Sequence, residues 1–460
     1  MTRIHDRELR AFLREQVREM ERKVPYAAVF VTSSRQLVVD ASLRQERVSE
    51  TGPTAGAVVT VWNGDHFEEC ATSDISRDGI ARAARALTAS VAVHRSRLEV
   101  PVARSMELFY KTPCEQDPSR ILLEEKLDLC RRARDRAANL DPRVVEAGGR
   151  YSERHVETLF VNRSRDLAQE IVTTSFGPYC VAADGNVVRQ DGESNGGTGG
   201  YELAAISEEQ WSDLGQRIPG LLRATPVEPG SYDVVVAPAV AGLIAHEAFG
   251  HGVETDMFLK GRARSREYVG KAVGSERVDL FDDPTYPGGF GTYAFDDEGQ
   301  TAAKTQVLRQ GVFVQGLTDL NAAMRLGLPR TANGRRQDVN KAYARMTNTY
   351  FGAGSDRLED MIASIDRGVY MGMAESGMED PKDWGVQCVI AWGRVIEHGK
   401  LTDRYHTQIG LTGYVPGLLG SVSMVGGGIK LFGGGCGKGH KEIISVGMGG
   451  PHIKMKARLG

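Results

Sequence analysis

Two histidines and a glutamate lie close together in one apolar stretch of the chain, residues 241–256, where the sequence reads His246-Glu247-x-x-x-His251. Imidazole nitrogens are good zinc ligands, and a catalytic zinc site keeps one position open for water. A glutamate beside that water can accept its proton. The residue types therefore predict a metal site that has its own base, Glu247.

The spacing of the two histidines constrains the backbone between them. Zinc-binding helices usually place two histidines four residues apart, on one face. His246 and His251 are five residues apart, which at roughly 100° per residue separates them by about 140° around a regular helix. A single-turn π-bulge would bring them together, and Gly250 tolerates such a distortion. The alternative is a distorted buried helix with two hydrogen-bonded histidines.

A candidate third ligand lies far downstream, in the glycine-rich segment GGGCGKGH. A thiolate at Cys436, between two glycines, could approach a metal held by the histidines, and Lys438 would favour the ionised thiol. The result is a His₂Cys set with one open position. His440 and His452 are rival ligands, and His440 could instead support the ligand set from outside. A buried thiol in a glycine-rich turn is the alternative for Cys436.

Other polar and glycine-rich stretches each allow more than one interpretation. Glu254, three residues after His251, either orients a histidine by a hydrogen bond or is a surface residue. The acids at 296–298 lack the spacing of a calcium loop and predict a polar turn. The run 196–200, with Gly197 and Gly199, lacks a phosphate-loop lysine. It is either a flexible turn or a strand edge that an extended ligand can approach.

The elements that must position these residues divide the chain in two. Residues 1–228 combine amphipathic helical segments with antiparallel strands, and Asn63-Gly64 is a strong hairpin signal. The segment 225–233 has the proline and glycine of a boundary. Residues 229–460 are rich in strands and glycine, and a strand leads into the histidine-bearing helix. We predict an α+β fold, with an N-terminal α/β domain (1–228) and a largely β C-terminal domain (229–460).

Composition restricts the class of protein. The 460 residues favour two domains, and a formal net charge of −3 gives no basic excess to attract nucleic acid. No stretch is long enough for a transmembrane helix, and the start MTRIHDRELRAFLREQ lacks the apolar region of a secretory signal. The six cysteines are scattered, without a C-x-x-C pair, which favours reduced thiols and a cytoplasmic location. We expect neither nucleic acid nor a membrane as a partner.

Several segments in a fixed order, HEAFGHGVE, DDEG, NGRR, RMTNTY and CGKG followed by GMGGPH, resemble the TldD/PmbA family over residues 230–455. The N-terminal stretch TVWNGDHFEECATSDIS is also similar. The family has an active zinc peptidase subunit, TldD, and a partner, PmbA, without the metal ligands. The resemblance implies the active type, with His246, His251 and Cys436 as zinc ligands and Glu247 as the catalytic base.

The resemblance also implies a soluble dimer, either a homodimer or a heterodimer with a PmbA-type partner. Family members take peptides as extended, unfolded segments into a buried site, and they trim peptide precursors or degrade small unfolded proteins. An older description of the family is modulator of DNA gyrase. Here HKEIISV follows CGKG where the family has GQ and small residues, a departure that concerns substrate preference.

The sequence therefore predicts a zinc-dependent metallopeptidase that hydrolyses amide bonds of extended peptides. Glu247 would accept the proton of the attacking water and return it to the leaving amine. One alternative is a zinc-dependent amide hydrolase or tailoring enzyme that acts on a small molecule. The other is a non-enzymatic modulator of a protein–DNA complex.

Overall fold

The N-terminal part of the protein is built around one large sheet. The computed structural model describes residue 4 and residues 6–95, 98–438 and 442–460. Within those residues the sheet has eight strands, in the order β3–β2–β1–β5–β6–β4, with β7 and β8 also pairing with β6. The strands are β1 (Tyr26–Ser42), β2 (Glu46–Trp62), β3 (Phe67–Thr72), β4 (Met106–Lys111), β5 (Val144–Asn162), β6 (Arg165–Asp184), β7 (Val187–Gly192) and β8 (Asn195–Thr198).

Helices cover this sheet where its strands present apolar side chains. They are α1 (Arg7–Met20), α2 (Arg77–Ser90), α3 (Leu123–Ala138) and α4 (Glu208–Leu222). Side chains of α1 and α2 join Val29, Val31 and Val59 in one core, and those of α3 and α4 join Tyr151 and Phe176 in another. Asp6, Ser76 and Ser207 cap three of these helices by accepting hydrogen bonds from backbone N–H groups.

Strands dominate the C-terminal part. In the part of the chain that the structure describes, one six-stranded sheet has the order β18–β17–β16–β9–β22–β19, a second has the order β12–β11–β10–β15–β21–β20, and β13 pairs with β14. The strands are β9 (Gly230–Val236), β10 (Leu280–Asp282), β11 (Thr305–Arg309), β12 (Val312–Phe313), β13 (Gly334–Arg335), β14 (Tyr343–Ala344), β15 (Asn348–Phe351), β16 (Arg367–Asp380), β17 (Gly385–Glu397), β18 (Lys400–Tyr414), β19 (Met424–Val425), β20 (Lys430–Lys438), β21 (Glu442–Gly450) and β22 (Ile453–Leu459).

The helices of this part are short. They are α5 (Pro238–Ile244), α6 (Thr255–Leu259), α7 (Leu320–Leu326), α8 (Leu358–Ala363) and α9 (Val415–Gly420). The helix α5 follows β9 directly and packs against β16 of one sheet and β21 of the other. Because its side chains are apolar all round, it is buried in the core that joins the two sheets. The mixed α+β fold with a largely β C-terminal part confirms the predicted fold class.

A glycine contact brings α5 close to the second sheet. A Cβ atom at Gly242 would lie 2.4 Å from the backbone nitrogen of Gly449 on β21, so a side chain there would push helix and strand apart. Strand β21 pairs antiparallel with β20, the edge strand that carries Cys436. This close approach therefore sets the distance between the helix and the cysteine. Across the described residues no helix combines the length and apolar character needed to cross a bilayer.

Candidate metal centre

The backbone that carries the two histidines changes its winding between them. After α5, residues Ala245–Gly250 form a π-helical turn, and His251–Val253 form one turn of 3₁₀ helix. A Cβ atom at Gly250 would lie 2.1 Å from Sδ of Met346, so the buried Met346 side chain would have to move to admit a larger residue where this turn meets the loop before β15. The wider turn provides the rotation that the five-residue spacing requires, and the rings of His246 and His251 are 5.0 Å apart between centroids.

Three side chains converge at this turn. One ligand atom each from His246, His251 and Cys436 lies within 4.8 Å of the others. Sγ of Cys436 lies 3.5 Å from Nε2 of His251, across 185 residues of sequence. His246 and Cys436 are buried, and Nδ1 of His246 is buried without a hydrogen-bond partner in the described structure. A thiolate and two imidazoles at this separation suit a metal that prefers sulfur and nitrogen ligands.

The charges of these groups also fit a metal ligand set. Burial opposes ionisation of Cys436, but the two histidines outweigh it and hold the pKa of this thiol well below its usual range. Burial also opposes protonation of His251, while Glu254 and Cys436 raise its pKa well above the usual range. A thiolate is the form of cysteine that binds metal. A metal cation that binds the Cys436 thiolate and the His251 imidazole would therefore take the place of the proton on His251.

Glu254 fixes the orientation of His251. Nδ1 of His251 donates a hydrogen bond to Oε2 of Glu254 at 3.2 Å, which leaves Nε2 facing Cys436. Glu254 is only 1% exposed, so the surface role considered for it does not apply. Burial opposes its ionisation, but Lys438 and His251 lower its pKa to about 2. It is a buried carboxylate that keeps its charge by contact with cations.

Lys438 contacts carboxylates rather than the thiol. Its Nζ lies 3.1 Å from Glu254, 2.5 Å from Asp256 and 3.0 Å from the carbonyl oxygen of Ala344. Stabilisation of the Cys436 thiolate comes from the two histidines, which corrects the role expected for Lys438. The ammonium instead neutralises Glu254 and Asp256, the acids behind His251.

Arg345 is a contact of the cluster that the sequence analysis missed. Its fully buried guanidinium donates from Nη2 to the carbonyl oxygen of Cys436 at 2.6 Å and lies 3.2 Å from Sγ. Its Nε lies 3.6 Å from Oε1 of Glu254. The signal available in the sequence was the position of this arginine at the start of RMTNTY, one of the segments that carry the family resemblance.

Glu247 projects into a cavity beside the cluster. The cavity has a volume of about 1120 Å³ and is lined by His246, Glu247, His251 and Cys436, together with residues of β16 and β20. A Cβ atom at Gly377 of β16 would lie 2.4 Å from Cγ of Glu247, so the strand passes directly against this side chain. Burial raises the pKa of Glu247, and the two histidines partly oppose that rise. A base with a raised pKa beside an open cavity can hold and release a proton.

The other candidates from the sequence lie elsewhere or outside the described residues. His440 belongs to residues 439–441, which the structure does not describe. His452 lines the same cavity, but its Nε2 lies 3.3 Å from the hydroxyl of Tyr370, and it is not part of the described His₂Cys cluster. Gly197 and Gly199 are not among the residues that line this cavity. They belong to the edge around β8, where a Cβ atom at Gly197 would lie 1.9 Å from the carbonyl oxygen of Gly288.

The acids at 296–298 form a turn, but it is not a solvated one. Asp296 is 1% exposed and accepts hydrogen bonds from the backbone of Glu298, Gln300 and Gly334. Burial raises the pKa of Asp296 to about 6 and that of Glu298 to about 7. The general rule that runs of charge are solvated was wrong here because this turn is buried against the N-terminal sheet, where Gly299 meets Phe160.

The chain is similar to known proteins over most of its length. Residues 229–458 match the family model described as PmbA/TldA metallopeptidase C-terminal domain, and residues 116–218 match the PmbA/TldA metallopeptidase central domain. A protein of Methanothermobacter thermautotrophicus named metalloprotease is 30% identical over 450 residues, covering 95% of this chain and 96% of that protein. A protein of Saccharolobus solfataricus named zinc metalloprotease TldD homolog is 27% identical, covering 72% of this chain and 75% of its own length.

The fold is similar to that of a solved relative as well. The crystal structure of TldE from Thermococcus kodakarensis superposes with a TM-score of 0.75 at 18% identity, covering 97% of this chain and 99% of that one. At this identity the likeness concerns the fold alone. The matches along the sequence identify the family: the chain belongs to the TldD/PmbA family and is a metallopeptidase, a hydrolase that acts on peptide bonds.

Proposed function

We propose that this metallopeptidase is the active, TldD type, that its metal is zinc, and that it cleaves extended or unfolded peptides. His246, His251 and Cys436 would hold the zinc. The observation that carries the proposal is the convergence of these three ligand atoms within 4.8 Å, inside a cavity that also contains Glu247. When bound, zinc would lower the pKa of a coordinated water to about 7 and polarise the substrate carbonyl.

Glu247 is the proposed base. Its carboxylate lines the cavity beside both histidines, and partial burial raises its pKa. It would accept the proton of the attacking water and deliver it to the nitrogen of the leaving amine. Glu254 would hold His251 in the tautomer that presents Nε2, through the hydrogen bond that Nδ1 donates.

Two strand edges that are unpaired within the described residues support an extended peptide as the substrate. Strand β9 pairs with β16 over Gly368–Met371, and the following residues of β16, which have no described strand on that side, line the cavity. Strand β20 is the edge of its sheet and lines the cavity with residues 432–438, which include three consecutive glycines. An extended backbone can add to such an edge by main-chain hydrogen bonds, with little dependence on side chains. Most backbone N–H and C=O groups of a folded domain are already paired internally, so an unfolded segment can add to such an edge more readily.

Partner, domains and location complete the proposal. We propose a dimer, either of this chain with itself or with a TldE-type partner, because a solved protein of the same fold is named TldE. We also propose two domains that meet near residue 228, since the sheet of β1–β8 shares no described strand with the sheets of β9–β22. The six free cysteines suit a reducing, cytoplasmic location.

A pair of variants tests the metal and the base separately. Cys436→Ser should lose bound zinc, because it removes one of three ligands, while Glu247→Gln should keep zinc and lose activity by several orders of magnitude. Zinc content per chain and cleavage of an unstructured peptide are the measurements. Zinc loss in Glu247→Gln would make Glu247 a ligand and would refute this mechanism.

The form of the substrate can be tested with one sequence in two states. A stable small domain should survive incubation with the enzyme, whereas a version with a core-destabilising substitution should be cut at several sites, as mass spectrometry would show. Equal cleavage of both, where the stable form is almost never unfolded, would refute the requirement for an extended peptide. If neither is cut by the zinc-loaded enzyme, an amide hydrolase acting on small molecules or a missing partner subunit explains the site better.

A further inference from the structure

A carboxylate without a partner lies in the cavity of the metal centre. Glu379, near the end of β16, lines the same cavity as Glu247 and His251. Neither of its carboxylate oxygens is exposed to solvent, and neither has a hydrogen-bond partner among the described residues. A carboxylate shielded from water is costly unless a cation or hydrogen-bond donors compensate it. The roles proposed for Glu247 and Glu254 leave Glu379 unexplained.

The position of Glu379 relates it to the proposed base. Gly377, two residues earlier on β16, lies against Cγ of Glu247. Residues two apart on a strand point to the same face, about 6.6 Å from each other, and the pairing of β16 with β17 is regular from Gly377 to Glu379. The carboxylate of Glu379 also packs on the turn that holds His251, because a Cβ atom at Gly252 would lie 2.6 Å from Oε1. Glu379 therefore lies about two strand residues away from the position of Glu247, the proposed base.

The charges of the cavity leave Glu379 available for a ligand. Acidic side chains outnumber basic ones along the cavity wall. Arg217 is already paired with Asp191 and Glu193, and Lys438 is already bound to acids behind His251. A substrate cation would therefore meet a free carboxylate, without having to displace a described arginine or lysine from it.

We propose that Glu379 binds a cationic group of the substrate, an ammonium or a guanidinium, close to the scissile bond. The inference rests on the proposed peptidase function and names its preferred substrates: peptides with a positive charge within about two residues of the cleaved bond. That charge has two possible sources, the α-ammonium at the start of a peptide and the side chain of lysine or arginine. A peptide that adds to the free edge of β16 presents its own side chains at the same two-residue spacing as the strand, which brings either source to Glu379.

The test compares a matched pair of variants on a matched set of peptides. Glu379→Gln removes the charge and preserves the shape. Glu276→Gln makes the same change at an exposed position that does not line the cavity. The peptides share one neutral sequence and differ in charge: one has a free N-terminus, one is acetylated, one is acetylated with a single lysine, and one is acetylated with norleucine in its place. Zinc content is measured for every variant.

We expect the unsubstituted enzyme to cleave one of the charged peptides with a kcat/KM about tenfold or more above that of its neutral counterpart. Glu379→Gln should remove this preference, mainly through KM. Glu276→Gln should keep the preference, and the zinc content of both variants should equal that of the unsubstituted enzyme. Preference for the free N-terminus would identify the α-ammonium, and preference for the lysine peptide would identify a side chain. Equal rates on charged and neutral peptides, or loss of zinc in Glu379→Gln, would overturn the inference.

A binding measurement separates this inference from the proposed function. In the Glu247→Gln background, fluorescently labelled peptides can be titrated without being cleaved. Tighter binding of a charged peptide that is lost in Glu247→Gln/Glu379→Gln supports the role of Glu379, even if the enzyme cleaves none of these peptides and the proposed peptide chemistry fails. Equal binding of charged and neutral peptides overturns the role of Glu379 and leaves the peptidase proposal intact.

Discussion

The substitution Glu254→Gln tests whether the buried carboxylate behind His251 tunes the metal site. Gln has nearly the same shape and keeps an oxygen that can accept the hydrogen bond from Nδ1 of His251. The change therefore removes a charge from a fully buried group that contacts His251, Lys438 and Arg345. When Glu254 loses its charge, Nε2 of the proposed ligand His251 becomes a weaker electron-pair donor to zinc. Zinc affinity should therefore fall about 10- to 100-fold, equivalent to about 1.4–2.7 kcal/mol.

The same change should also destabilise the protein. Arg345 is completely buried, and Lys438 is 15% exposed at its side chain, so both cations lose a carboxylate without gaining water. Removing one partner from a buried ion pair costs about 3–5 kcal/mol. The matched control is Glu359→Gln, which removes an exposed pair with Arg357 and should change the free energy of unfolding by less than about 0.5 kcal/mol.

Two assays distinguish these effects. Titration of the metal-free protein with zinc, in competition with a chelating indicator, gives the affinity of each variant, and thermal unfolding of the same metal-free samples gives their relative stability. Both quantities should fall in Glu254→Gln and remain near the unsubstituted values in Glu359→Gln. If Glu254→Gln binds zinc as tightly as the unsubstituted protein, the hydrogen bond to His251 does not tune the metal site and this reasoning is refuted.

The π-helical turn and the buried acidic turn give two further predictions. Gly250→Ala should cost about 1–3 kcal/mol and displace His251, because the added Cβ would lie 2.1 Å from Sδ of Met346. Zinc content should fall in this variant but not in Gly417→Ala, where no atom lies within 4 Å of the added Cβ; equal zinc content would count against the tight fit. Burial raises the pKa of Glu298 to about 7, above its unfolded value. The contribution of the protonated Glu298 carboxyl group to the free energy of unfolding is therefore fully present at acidic pH, and it is lost as the pH rises from about 4 to about 7. The quantity to compare is the free energy of unfolding of Glu298→Gln minus that of the unsubstituted protein. This difference should be more favourable to the variant at pH 8 than at pH 5, by an amount on the order of 1 kcal/mol. Unfolding curves of both proteins at pH 5 and pH 8 measure this difference. If it is the same at both pH values, the pKa of Glu298 is not raised.

The amino-acid sequence by itself determined the candidate ligands and the local constraint on them. His246 and His251 were recognisable as candidate metal ligands by residue type, and their convergence at a five-residue spacing required a wider turn than an α-helix provides. The structure has that turn over Ala245–Gly250. Local signals of this kind are readable because they depend on contacts between neighbours in the chain, such as helix periodicity, capping side chains and tight turns.

Only the tertiary structure decided which distant residues reach the cluster and what they do there. Cys436 meets His251 across 185 residues, and Arg345 meets Cys436 across 91, because β20 pairs with β21 and β21 with β15. Lys438 was expected to act on the thiol, yet it binds the acids behind His251. The unpartnered state of Glu379 could not be read from the chain either. Partners of this kind follow from strand register and burial, which the whole fold sets and which residue types and spacing along the chain do not specify.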